Sequence, residues 1–138
     1  MDSYLLDTNI IIRLLSGEPE DHHNIVKRFL SEAEENNHRF AVEPLVIAEV
    51  VFVLTGKVYG LKRELVVQEL KSFLTNPKIT VVNEQEIEIA LDYFLASKLD
   101  FVDCYLLART SRIEDIQLTT FDKAIARLQP EKVKLLEA

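Results

Sequence analysis

A chain of 138 residues with 28% charged and 48% apolar side chains has the make-up of one soluble globular domain, residues 1–138. At this length folding buries about two-thirds of the unfolded chain's surface. Sixteen basic residues against 23 acidic ones leave a formal charge of −7, which excludes generic coating of nucleic acid or of anionic membranes; three isolated glycines exclude the glycine-rich loops that wrap nucleotide phosphates.

The first strand is expected at residues 4–6. Asp7 leads from it into the helical run Thr8-Asn9-Ile10-Ile11-Ile12. This opening carries Asp2 and Asp7 and lacks the cationic start of a signal peptide, and no window reaches the ~20 apolar residues of a membrane span. With a single cysteine, Cys104, and hence no internal disulfide, a cytoplasmic protein without membrane attachment is expected. Residues 21–35 place Ile25, Val26, Phe29, Leu30 and Ala33 on one face of an amphipathic helix. A strand at 39–42 precedes a nearly all-apolar helix over 44–54, with Pro44 suited to its first turn. Further on, helices are expected at 61–74, 84–96, 101–112 and 122–128, and strands at 79–82, 117–119 and 132–135. Such alternation predicts an α/β fold, a three-layer α/β/α sandwich around a central, mainly parallel sheet of about five short strands. In that architecture the ligand crevice lies beyond the carboxyl ends of the strands.

Four carboxylates occupy positions that matter there. Asp7 follows the first strand, where an N-cap is the plain alternative role. Glu49 is the only polar side chain between Pro44 and Thr55. If buried it needs a cation, a hydrogen-bond network or a solvent cleft; otherwise it faces solvent on an apolar helix. Asp103 lies in the opening turn of the helix at 101–112, three residues after Asp100, which is placed to be the N-cap and so to free Asp103 for the crevice. Asp122 stands between a strand and a helix. Four acids at one sheet edge repel strongly at low dielectric, and divalent cations relieve such a cluster. All-oxygen ligation selects Mg²⁺ or Mn²⁺, which activate water and support in-line displacement at a phosphodiester.

The blocks Leu5-Leu6-Asp7-Thr8-Asn9, Val46-Ile47-Ala48-Glu49, Asp100-Phe101-Val102-Asp103 and Thr119-Thr120-Phe121-Asp122 resemble, in order and spacing, the four signature blocks of PIN-domain ribonucleases. The compact length is most similar to that of the VapC-type toxins of prokaryotic toxin–antitoxin modules. The resemblance implies a Mg²⁺- or Mn²⁺-dependent endoribonuclease cutting single-stranded or loop RNA, with an antitoxin partner. It also implies that Asp7, Glu49, Asp103 and Asp122 form the catalytic, metal-binding quartet, and that Asn9 and Thr120 support it. One departure is Arg112-Ile113-Glu114-Asp115, where the family commonly has a small glycine turn.

Other features carry less. His22 and His23 near a helix start suit solvated or capping roles, His38 an exposed loop, and Cys104 a buried core position. Basic residues come in pairs, Lys27-Arg28, Lys62-Arg63, Arg109 with Arg112 and Lys123 with Arg127; with Arg13, some are expected to engage RNA phosphates. Apolar surface on the helices at 44–54 or 61–74 suits a homodimer or a partner segment. A haloacid-dehalogenase-type Mg²⁺-dependent phosphatase needs a second Asp where Asn9 stands. A phosphoacceptor receiver domain needs a Lys after a strand and has no counterpart of Glu49. A catalytically silent PIN-like module that binds RNA or protein is the remaining alternative, and it has no need of four costly acids.

Overall fold

The computed structural model describes residues 3–137, so Asp2 of the N-terminal reading lies outside the described residues. By contact the chain divides into two compact units, the first ending at Val82 and the second beginning at Asn83.

The first unit runs β1 (Ser3–Leu5), α1 (Thr8–Ser16), α2 (Glu20–Glu35), β2 (Arg39–Val42), α3 (Pro44–Thr55), α4 (Arg63–Leu74) and β3 (Ile79–Val81). Its strands form a parallel sheet in the order β1-β2-β3, in register at Tyr4 with Phe40 and at Phe40 with Ile79. Helix pairs between successive strands supply the crossovers that parallel pairing requires. In β2 the exposed Arg39 alternates with the buried Phe40, and Val42 is buried on the same side, the period-two pattern of a strand. Helix α1 begins where Asp7 Oδ1 accepts a hydrogen bond from the Ile10 amide at 3.2 Å. It ends at Gly17, whose φ of 73° is the left-handed cap conformation that glycine adopts at little cost. Along α3 the buried Ile47, Val50, Val51 and Leu54 follow the i, i+3, i+4, i+7 spacing of one helix face. Helix α1 packs against both α2 and α3, and α3 against α4.

His38 departs from the exposed loop expected for it. Its ring is half-buried and stacks on Tyr4 at a centroid distance of 5.3 Å, and Tyr4 also meets Phe29 edge-on at 5.0 Å. The β1–β2 pairing draws this segment in, because a flat ring that covers the Tyr4 face removes apolar area from water.

The second unit runs α5 (Glu84–Ala96), α6 (Phe101–Ser111), β4 (Leu118–Thr120), α7 (Lys123–Leu128), a short 3₁₀ turn (Pro130–Lys132) and β5 (Val133–Leu135). Helices α5 and α6 pack as a pair through Ile87, Ala90, Leu91 and Phe94 on one and Phe101, Cys104, Leu107 and Ala108 on the other, all buried. Cys104 is thus a core residue. Strands β4 and β5 pair in parallel, Leu118 beside Val133 and Thr120 beside Leu135.

All five expected strands are present among the described residues, every pairing is parallel and the fold is α/β; the pairings group the strands as three and two. The expected helix starts at 61 and 122 move to Arg63 and Lys123, because Lys62 and Asp122 take the extended N-cap conformation instead. In the segment 112–115, Asp115 adopts φ 59°, so the left-handed geometry of a glycine turn is kept without the glycine. An L-residue there is strained. Asp115→Gly is expected to raise stability by about 0.5 kcal/mol in urea unfolding, relief of strain outweighing the added chain entropy of glycine.

Candidate active site

In the second unit the acids gather around the start of α6. Asp100 takes the extended N-cap conformation (φ −66°, ψ 153°) and its carbonyl accepts from the Cys104 amide at 3.1 Å, although its side chain makes no capping bond. Asp103 follows in the first helical turn, half-buried, with Phe101 and Cys104 turned into the core on either side. Its carboxyl is pushed above the usual aspartate value, first by burial and then by repulsion from Asp100 and Asp122. The expectation that Asp100 opens the helix is met in its backbone. Asp103 thereby stands in the field of two further carboxylates.

Asp122 is placed by its neighbours at the β4–α7 junction. Its amide donates to Thr120 Oγ1 at 3.0 Å, and its own Oδ1 accepts from the Ala124 amide at 2.8 Å, which caps α7. Thr120 therefore orients the turn that presents Asp122. Because asparagine caps about as well as aspartate, Asp122→Asn is expected to fold with parental stability. Asp122→Ala is expected to lose about 1 kcal/mol in urea unfolding. The pair separates the charge of this residue from its capping role.

In the first unit Asp7 caps α1 and Asn9 lies exposed in that helix's opening turn. Asn9 borders an open cavity of about 380 Å³ together with Arg13, His22, Ile25 and Val26. Arg13 donates from Nη1 to the Tyr59 hydroxyl at 3.1 Å, and His23 Nδ1 lies 2.8 Å from the Arg13 carbonyl oxygen. His23 thus ties α2 to α1, while His22 is exposed with its amide bonded to Asp21 Oδ1. Glu49 faces solvent on α3 and needs no buried partner. It shares its face with Leu45 and Phe52, one helical turn to either side and 84% and 78% exposed. The core stripe of α3 lies on the other face, which leaves these apolar side chains outside.

Among the described residues, no group of three or more His, Cys, Asp or Glu side chains is spaced to hold a metal ion. What the second unit offers a cation is its donor chemistry: carboxylate oxygens only, with mutual repulsion at Asp103 that a positive charge would relieve. Two features escaped the sequence reading. Glu86 on α5 is buried, 8% exposed, and accepts from Arg112 Nε at 2.8 Å. Lys98 borders a cavity beside Asp122 together with Arg127. Neither is visible in helical periodicity; a survey of every residue in the loops adjoining the acids would have found Lys98.

Comparison with known families matches the PIN domain to residues 4–129 of this chain. A VapC ribonuclease of Aquifex aeolicus (strain VF5) is 23% identical over 124 residues, 90% of this chain and 90% of that protein. No solved structure matches. Among the described residues no helix is long and apolar enough to cross a membrane.

Proposed function

This chain belongs to the PIN-domain family, and from that premise we propose that it is a Mg²⁺- or Mn²⁺-dependent endoribonuclease, the toxin of a toxin–antitoxin pair. The observation that carries the reading is Asp103, half-buried and raised in pKa by burial and by the neighbouring Asp100 and Asp122. Repulsion of this kind is what a bound cation would relieve, which supports the reading. Asp7, Glu49, Asp103 and Asp122 are the proposed ligands, with Asn9 and Thr120 supporting them. When bound, the ion supplies water activation and charge neutralisation for in-line displacement at an RNA phosphodiester.

The chain's own residues prepare that chemistry. Thr120 holds the backbone of Asp122, and the Ala124 amide fixes one of its carboxylate oxygens, leaving the other oxygen to act. Asp7 is held in the same way by the Ile10 amide. Asp103 itself is half-buried, which strengthens the electrostatics around it. The reading takes residues 1–138 as one working domain, acting in the cytoplasm. The exposed Leu45 and Phe52 on α3 and Val58 beyond it support protein partners, a second copy of the chain and an antitoxin.

Incubation of the purified chain with mixed RNA is expected to give cleavage with Mg²⁺ or Mn²⁺ and none after chelation. Cleavage that survives the chelator overturns the proposed chemistry. Binding of RNA with no cleavage under any metal leaves the silent binding module.

A further inference from the structure

The second unit contains an open cavity of about 430 Å³, bordered by Ser97, Lys98 and Leu99 from the α5–α6 loop and by Asp122, Ala124, Arg127 and Leu128 from the start and body of α7. Its volume is within the range of ligand-binding clefts. The loop wall is ordered. Ser97 Oγ donates to the Tyr93 carbonyl at 2.7 Å and accepts from the Leu99 amide at 3.3 Å, and Leu99 is itself buried. Two cations, Lys98 and Arg127, therefore border a formed cleft that also reaches a proposed catalytic carboxylate. Both are exposed, and neither makes an ion pair among the described residues. Next to Asp122 in the chain, the ring of Phe121 is 70% exposed. An aromatic side chain bare to that degree, one residue along the chain from a carboxylate that lines the cleft, is of the kind that stacks unpaired bases.

We propose that this cavity is a strand-binding subsite for single-stranded RNA, in which Lys98 and Arg127 hold a backbone phosphate adjoining the cleaved one and Phe121 stacks a neighbouring base. The proposal rests on the nuclease reading of Asp122 and extends it from the chemistry to the substrate's path. The chemistry of the cleft selects the ligand. Asp122 contributes a negative charge to the same wall, which suits a singly charged phosphodiester flanked by Lys98 and Arg127 and disfavours a doubly charged free phosphate. An acidic peptide would use the two cations and have no use for Phe121. A duplex would leave no free base for the ring. The subsite also answers the overall charge of −7: local cations, not the net field, attract the strand.

The test is binding of a short fluorescein-labelled single-stranded RNA, followed by anisotropy across a salt series in the presence of chelator, so that no cleavage intervenes. Lys98→Gln with Arg127→Gln is expected to weaken binding at least tenfold at low salt and to lessen the slope of log affinity against log salt by about 1.4, two single-strand phosphate contacts. The charge-conserving Lys98→Arg with Arg127→Lys keeps the parental slope. Phe121→Ala is expected to weaken single-stranded binding about tenfold with the slope unchanged. Thermal unfolding checks that these surface variants are folded. A parental slope in the glutamine variant overturns the proposal, as does failure of the parent chain to bind RNA. Displacement of the RNA by millimolar inorganic phosphate overturns it in favour of a free-anion site, and Lys98- and Arg127-dependent binding of polyglutamate with an unchanged RNA slope overturns it in favour of a peptide. Cleavage of the same RNA by the parent chain with Mg²⁺ is scored separately. Its absence, together with Lys98- and Arg127-dependent binding, retires the nuclease reading and supports the subsite.

Discussion

Asp103→Asn is expected to lower metal-dependent RNA cleavage by about 10²–10³-fold while making the metal-free protein more stable at pH 7. The two effects share one cause. The folded protein raises the Asp103 carboxyl above its ordinary value of 3.8, so the folded state holds that proton more tightly than the unfolded state does. Stability therefore falls as pH rises through 3.8 towards the raised value, and above that value the whole penalty persists. Asparagine carries no charge and escapes it. Thermal unfolding in chelator is expected to show the variant ahead of the parent at neutral pH, with the gap closing below pH 3.8. Asp100→Asn removes one source of the repulsion and is expected to stabilise by less, since burial contributes more to the shift. A proposed active site that costs stability in this way fits the usual trade between function and folding. An Asp103→Asn protein that cleaves at the parental rate would remove Asp103 from the mechanism.

Arg112→Ala is expected to destabilise the protein by about 3 kcal/mol, read by urea unfolding at pH 7. Arg112 Nε meets Glu86 Oε1 at 2.8 Å, and the Glu86 side chain is only 10% exposed, so loss of the arginine leaves a buried carboxylate without its partner. The figure is the lower end for such pairs, because the Arg112 side chain is 45% exposed and solvent screens the attraction. Glu86→Gln removes the buried charge itself and is expected to cost less. Replacing both residues by leucine is expected to come close to the parent, since the pair's attraction is largely offset by desolvation. If Arg112→Ala unfolds at the parental midpoint, the ion pair is a surface contact without consequence for the fold.

Neither effect could be deduced from spacing alone. Glu86 and Arg112 stand 26 residues apart, one in the first turn of α5 and the other just past the end of α6, and in sequence each is one more charge among many. The rise in the Asp103 pKa depends on Asp122, 19 positions away, and on the depth to which α6 sinks against α5. Glu49 shows the converse. Eleven nearly unbroken apolar positions leave open which face of the helix is covered, and the fold uses only the stripe of Ile47, Val50, Val51 and Leu54, leaving Leu45, Glu49 and Phe52 in water. His38 lay between Asn37 and Arg39 and was expected in an exposed loop until Tyr4, 34 residues earlier, covered its ring.

By itself the sequence determined the order and type of the elements, the parallel α/β class, the capping role open to Asp7, the burial of Cys104 and the resemblance that the match over residues 4–129 bears out. These are set by contacts within a few residues: the period of apolar side chains, proline at a first turn, a carboxylate beside free amides. Tertiary structure decided which face of α3 is covered, how strongly Asp103 resists ionisation, what pairs with Glu86, and that Lys98 and Arg127 border one cleft. The reason is physical. Burial and Coulomb energy depend on distance in space, and residues far apart in the chain acquire that distance only when the helices and strands pack.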